Sequence, residues 1–395
     1  MAHRILISGA GIAGPALACW LVDAGWDVTV VERDERLRDD GQNVDVRGAG
    51  REAVQRLGIE DEILARNTTE TGTEFVNADG KPAASFDQDG DDGPTAELEI
   101  LRGQLADVLH DRSADADYRF GDRIDTVEDH ETHATVRFAA GDERDFDVVA
   151  IAEGQRSRTR DRLFDGVRLD ALNVDIAYAT IPRGPDDTDR WRVFVATDGR
   201  QVHLRPDNLG TIRAMLAFQT EPKGFDRLEP AEQIAVLRDR FAGAGWETER
   251  ILDALSDSNL FYESLAQVRV PKWSTGRVVL LGDAAHCVTP LAGLGTSLAL
   301  IGAYILAGEL TSDDDHRAAF DRYEQRLRPL AEDVRALPPG VPGIAYPDSK
   351  LGGDLLRLGA KVAASPVGRA LASVTPSSKS DFELPDYPSD ALRRS

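Results

Sequence analysis

The feature that most constrains this chain is Gly9-Ala-Gly11-Ile-Ala13-Gly14, a GxGxxG run set between segments of different periodicity. Before it, residues 4–9 (Arg-Ile-Leu-Ile-Ser-Gly) form the short apolar run of a buried parallel strand. After it, Ala16, Leu17, Trp20 and Leu21 recur at helical spacing as far as Gly25, which is placed to end a helix. Val28 to Glu32 is again strand-like. The segment is thus a βαβ unit with glycines at its first turn. There the first glycine permits the tight turn, the second lets the backbone approach a pyrophosphate, and the third lets helix and strand pack closely. Glu32 ends the second strand, where a carboxylate accepts hydrogen bonds from a ribose diol and repels a 2′-phosphate. This site is expected to hold FAD or NAD rather than NADP.

The remainder reads as an α/β chain with two textures. Apolar runs of the buried-strand type return at 147–152 and 276–283. From about Val167 to Tyr262 the strands alternate, as in Trp191–Val195 and Thr211–Phe218, which predicts a sheet with one wet face. Helices are expected over 49–57, 102–112, 231–241 and up to about Arg335, with a hairpin around Val127 and Val136. Residues 337–343 read as a linker, 351–371 as a last helix, and the end as a polar tail. Ala284 to Gly308 is uncharged, but Pro290, Gly293 and Gly295 leave too short a remnant for a membrane span, so it reads as a buried helix.

Composition excludes several classes. With 46 Lys and Arg against 69 Asp and Glu, the net charge of −23 disfavours nucleic acid and anionic membrane surfaces. The two cysteines, Cys19 and Cys287, cannot build a disulfide scaffold or a zinc cluster, and a reducing cytoplasmic location is expected. The sequence contains no HExxH and no GxSxG. Asp283 follows a buried strand and should face the ligand crevice, where it can accept a hydroxyl hydrogen bond. Gly293 to Thr296 open a helix whose N–H groups would stabilise negative charge.

Two further segments carry a family resemblance. Ala152-Glu153-Gly154-Gln-Arg-Ser157-Arg-Thr-Arg160 resembles the second fingerprint of the class A flavin-dependent monooxygenases, the aromatic hydroxylases built like para-hydroxybenzoate hydroxylase. Gly282-Asp283-Ala-Ala-His286, with Pro290 and Gly293-Leu294-Gly295, is similar to their third. The three motifs stand in the family's order from Gly9 to about Arg335, and the length resembles that of the small tetracycline-inactivating members. Glu153 departs from the family, which carries Asp there, and His286 matches a position that is usually structural.

The resemblance implies a Rossmann-like FAD-binding domain interleaved with a mixed-sheet substrate domain and a C-terminal helix. The expected FAD-binding parts are 1–75, 99–165 and 269–336; the substrate parts are 76–98 and 166–268; linker, helix and tail occupy 337–395. It further implies that FAD is held noncovalently by Gly9, Gly11, Ala13, Gly14, Glu32, Arg33, Arg47, Arg102, Gly154, Asp283, Pro290, Gly293, Leu294 and Gly295. Without a second GxGxxG, NADPH or NADH would visit as a transient cosubstrate. O2 would add at the flavin C4a position, and its distal oxygen would pass to an aromatic or polyketide-like small molecule. Because the cofactor carries the chemistry, no single catalytic acid is required. Arg205, Arg213, Met215 and Phe218 are expected to face the substrate, on the ground that alternate strand residues share a face. An FAD-dependent reductase or dehydrogenase, or a flavoprotein that only sequesters a ligand, would share the three motifs.

Overall fold

The computed structural model describes residues 2–38, 41–87, 98–337, 340–363 and 382–388. The strand Arg4–Ser8 lies inside a six-stranded sheet, between Asp27–Glu32 on one side and Val148–Ile151 on the other. Val278–Leu280 continues the parallel array beyond Val148–Ile151, and Asp117–Phe120 continues it beyond Asp27–Glu32. Only the short edge strand Ser274–Thr275 runs antiparallel. The chain therefore leaves Arg4–Ser8 towards one neighbour and comes back on the other side, which makes a topological switch point where a crevice opens at the carboxyl ends of the strands. Gly9, Ala152 and Leu281 follow those carboxyl ends directly.

The crossover helix is Ala13–Asp23, and Gly25 ends it with φ +78°. It is buried almost all round because it packs on a second apolar helix, Gly295–Ser312, as well as on the sheet. A three-stranded meander, Ile124–Asp129, Ala134–Phe138 and Glu143–Phe146, adds Ala134, Val136 and Phe138 to the same core. Among the described residues no helix is long and apolar enough to cross a membrane.

The second large sheet has seven strands, in the order Phe261–Arg269, Arg168–Pro182, Thr211–Gln219, Arg200–Pro206, Trp191–Val195, Gly72–Val76, Pro82–Asp87. Gly72–Val76 straddles the boundary expected at 75/76 and pairs wholly within this sheet. One face carries Ile212, Ala214, Leu216 and Phe218, packed under helices Pro230–Phe241 and Thr248–Ala254. The other carries Val174, Ile176, Tyr178, Met215, Ala217, Phe261 and Leu265, and faces the first domain. Strands Arg168–Pro182 and Phe261–Arg269 are the long arms joining the two regions, with a bulge between Ala171 and Asp175.

The C-terminal part departs from a plain linker, helix and tail. Residues 340–348 lie on the second sheet: Tyr346 is buried there, and Gly199 N–H donates to Pro347 O at 3.1 Å. The last helix spans Lys350–Ala363, and the rest of the helix expected to 371 lies outside the described residues. Residues 382–388 return to the first domain, because Leu384 and Tyr387 supply apolar surface to it. Tyr387 donates to Glu309 Oε1 at 2.8 Å, beside Arg326 Nε at 2.6 Å, while Arg322 Nε donates to Oε2 at 2.5 Å. Glu309 is only 2% exposed, so losing its carboxylate strands three donors at the clasp. Glu309→Ala should lower unfolding free energy by about 2 kcal/mol, the figure being held down because both arginines reach solvent. Urea denaturation with tail fluorescence as a second probe measures it.

Candidate active site

The three turns at the strand ends touch. A Cβ on Gly14 would collide with the Gly9 carbonyl, and one on Gly9 with the Ala152 carbonyl. A Cβ on Gly282 would come within 2.8 Å of the Ala13 methyl. These glycines are required by packing. Gly11 differs: a Cβ there would meet only the Arg102 guanidinium, at 3.4 Å. Gly154, Gly293 and Gly295 have nothing within 4 Å of a Cβ position. They border a single cavity of about 2000 Å³ that also reaches the second sheet. That is larger than the 300–1,000 Å³ or so of an ordinary small-ligand pocket, and leaves room for a dinucleotide and a second molecule together.

Around the first turn, Glu32 accepts the Ala10 N–H at 2.7 Å and the Asp34 N–H at 3.0 Å. Its remaining lone pairs can take a ribose diol. Arg33 is exposed at the rim, 3.9 Å from Asp34. The helix Ala13–Asp23 has no side-chain cap, so its first N–H groups are open to a phosphate. Arg102 begins the helix Arg102–Arg112, anchored by its N–H to Gln42 O at 3.0 Å. Arg47 pairs with Asp45 at 3.0 Å, and its N–H donates to Ser297 Oγ at 3.0 Å.

Asp283 opens the short helical turn Asp283–His286 and is exposed to the cavity interior. Enclosure by protein raises its carboxyl above the usual range, while Arg102 and the Cys287 thiol pull it down. Opposite it, Pro290 and Leu294 lead into Gly295–Ser312, an 18-residue helix without a side-chain cap whose N-terminus lines the cavity. The glycine cradle, the uncapped helix ends and Asp283 fit the phosphates, ribityl chain and pyrimidine edge of FAD. His286 is buried, its ring tilted against Trp273 at 5.0 Å, and is held neutral, down to about 3, by burial. It does not line the cavity.

Glu153, the departure from the family pattern, accepts from Ser8 Oγ at 2.7 Å, Ser157 Oγ at 2.7 Å, Thr159 Oγ1 at 2.6 Å and Thr159 N at 3.2 Å. The extra methylene is used to tie the first strand to the helix Arg158–Leu163.

The expected substrate residues divide. Arg213 and Met215 line the cavity, as does Arg205. Phe218 does not: it is an odd number of residues from both Arg213 and Met215's face, and stacks edge-on against Phe241 under the helices. Arg205 is committed internally, to Glu70 Oε2 at 2.9 Å and to Glu99, with its guanidinium 4.4 Å over Trp191. Burial pushes Glu70 up to about 8 despite that arginine. Arg213 is held by Asp207 at 3.0 Å and Thr180 at 2.6 Å. Sequence reasoning missed Tyr178, His203, Glu263 and Tyr346, all cavity-lining. His203 accepts from Trp191 Nε1 at 3.0 Å, which leaves its other nitrogen to donate to Gln201 Oε1 at 2.8 Å. Glu263 had a signal: a carboxylate where the alternation of Phe261 and Leu265 calls for an apolar residue.

Residues 2–336 match the family model described as FAD binding domain. A flavin-dependent monooxygenase from an unknown prokaryotic organism is 35% identical over 337 residues, covering 83% of this chain and 86% of that protein. The flavin-dependent monooxygenase eupH of Phoma sp is 34% identical over 97% of both chains. Among solved structures, tetracycline destructase Tet(55) superposes with a TM-score of 0.81 at 30% identity, covering 98% of this chain and 99% of that one. Klebsiella pneumoniae HpxO, solved with FAD and uric acid, has a TM-score of 0.75 at 20% identity over 94% and 95%, and shows the shared fold. The chain belongs to the FAD-binding family of flavin-dependent monooxygenases, and is an FAD-dependent monooxygenase.

Proposed function

We propose that this monooxygenase uses NADPH or NADH and O2 to hydroxylate a planar aromatic or polyketide-like molecule. The observation that carries the reading is the shared cavity: the FAD cradle forms one wall, and Tyr178, Met215, Phe261, Leu291 and Tyr346 form the other. Tyr178 and Phe261 lie nearly parallel, 6.1 Å apart, and offer flat faces to a flat ligand.

In this reading Gly9, Gly11 and Gly14 with the N-terminus of Ala13–Asp23 take the pyrophosphate, Arg102 adds a cation beside it, and Glu32 takes the ribose. Ala13 acts indirectly, by keeping the first turn seated on Gly282. Asp283 would accept a hydrogen bond from the ribityl chain, and Pro290 to Gly295 would border the flavin. Arg47, Gly154 and Arg33 border the same wall. A bound FAD would supply the redox chemistry, hydride acceptance from the nicotinamide and oxygen transfer to the substrate. The protein's share is orientation and exclusion of water. The uncapped N-terminus of Gly295–Ser312 would stabilise negative charge on a bound flavin, and the aromatic wall would hold the substrate beside it.

Purified protein supplied with NADPH or NADH should oxidise it faster on addition of a turned-over compound, with mass spectrometry showing one oxygen atom gained. Tetracycline, the compound in the name of solved relatives, is the first probe, beside a panel of phenols and phenolic polyketides with their O-methyl ethers. Reduced nicotinamide consumption that yields only hydrogen peroxide across the panel contradicts the reading.

Two substitutions test the cofactor assignments. Gly11→Val puts a branched side chain where the pyrophosphate approaches, so FAD should be lost from a protein whose circular dichroism is unchanged. Retention of FAD at full occupancy would leave Gly9 to Gly14 as a turn only. Asp283→Ala removes a charge-assisted hydrogen bond of roughly 1.5–3 kcal/mol, so the FAD dissociation constant should rise by one to two decades. Asp283→Asn keeps an acceptor and should lose less; equal affinity in all three proteins removes Asp283 from the site.

A further inference from the structure

Among the charged side chains of the second sheet that line the cavity are Arg205, Arg213 and Glu263. The two arginines are closed into ion pairs with Glu70, Glu99 and Asp207. Glu263 is not in an ion pair among the described residues, although Arg205 and Arg213 stand on the same face. It lies on Phe261–Arg269, opposite Ile176, with Phe261 and Leu265 as its neighbours along the strand. Tyr178, on the adjacent strand, lines the same face of the cavity, and its hydroxyl favours the ionised form of the Glu263 carboxyl. A carboxyl set among apolar surface at the wall of this cavity, outside any ion pair, has lone pairs available beside space large enough for a substrate.

We propose that Glu263, beside Tyr178 on the cavity-facing side of the sheet, accepts the proton of an acidic phenol or enol hydroxyl on the substrate. This deepens the hydroxylase reading and rests on it. The substrate O–H bond breaks, an O–H bond forms on the Glu263 carboxyl, and the electron pair stays on the substrate as phenolate or enolate. That anion is the electron-rich form an electrophilic oxygen transfer needs. The proton then returns to water through the cavity mouth. The surroundings suit the task. Burial first, and then the Asp283 carboxylate, push Glu263 up to about 7, while the Tyr178 hydroxyl, Arg156 and Arg102 hold it down. The Cys287 thiol, which also faces it, is itself pushed far up and stays neutral. Arg156 is tied to Asp226 and so acts on Glu263 through space. A group near 7 both takes and gives up a proton at neutral pH.

The test uses the FAD-loaded full chain as wild type, Glu263→Gln and Tyr178→Phe, each checked for FAD content and melting temperature. The probes are tetracycline and the phenols of the panel with their O-methyl ethers. Binding is read from perturbation of the flavin absorption, and kcat/KM is followed from pH 5 to 9. Wild-type kcat/KM should rise with pH through about 7, as the carboxyl ionises. Glu263→Gln should be lower by roughly 10²-fold, mainly in kcat, and lose that rise. Tyr178→Phe removes a hydroxyl that favours the ionised carboxyl, so its rise should move to higher pH. The ethers should perturb the flavin yet turn over poorly. An active wild type with an unaltered profile in Glu263→Gln, or ethers turned over as well as phenols, overturns the proposal and leaves the hydroxylase reading standing. If Glu263→Gln does not fold, an unmoved profile in Tyr178→Phe overturns it. A wild type that oxygenates none of the probes contradicts the hydroxylase reading, and this proposal with it.

Discussion

The structure depends on three backbone turns approaching more closely than side chains allow. Gly14 abuts the Gly9 carbonyl, Gly9 abuts the Ala152 carbonyl, and Gly282 abuts Ala13. Segments more than 100 residues apart in sequence are thereby fixed within van der Waals contact at one end of one parallel sheet. Everything the site presents follows from that seam: Gly11 and Gly154 open outward, Glu32 and Asp283 stand on either side, and Glu153 laces the first two turns with four accepted hydrogen bonds. The crevice is a property of topology, since neighbouring strands on either side of Arg4–Ser8 carry the chain away in opposite directions.

Charge in the cavity is arranged so that most of it is already spent. Arg205, shared between Glu70 and Glu99, braces the sheet and supports the Trp191 ring. His203 is held neutral, at about 3, by burial and by Arg205, and serves as a link between Trp191 and Gln201. These buried polar groups give rigidity, because each has few alternatives that keep its hydrogen bonds. Two of the carboxyls that line the cavity, Asp283 and Glu263, come from elements that pack on each other, and each bears on the other's charge.

How much was legible in the sequence follows the range of the forces involved. The βαβ unit, the buried strands near 150 and 280, and the alternating sheet could be read because period and glycine placement are local. Phe218 was assigned to the wrong face although its parity with Met215 was visible in the same strand. Arg205 could not be judged, since its partners Glu70 and Glu99 are more than 100 residues away in sequence. Tyr346 lies between the segment read as a linker and the last helix, and Tyr387 in the segment read as a polar tail; both dock because aromatic side chains find apolar surface that only the finished fold provides. Glu153 was visible as a departure, but its four donors come from three positions brought together by the fold.

We propose that the seam and Asp283 together grip both halves of one dinucleotide. Titration calorimetry of the apoprotein with FAD, ADP and FMN tests it most directly. FAD should bind more tightly than either ADP or FMN by at least roughly two decades, about 2.7 kcal/mol, because only it engages the glycine turn and the Asp283 side at once. FMN binding as tightly as FAD would mean that the GxGxxG turn contributes nothing to recognition, and would contradict the account.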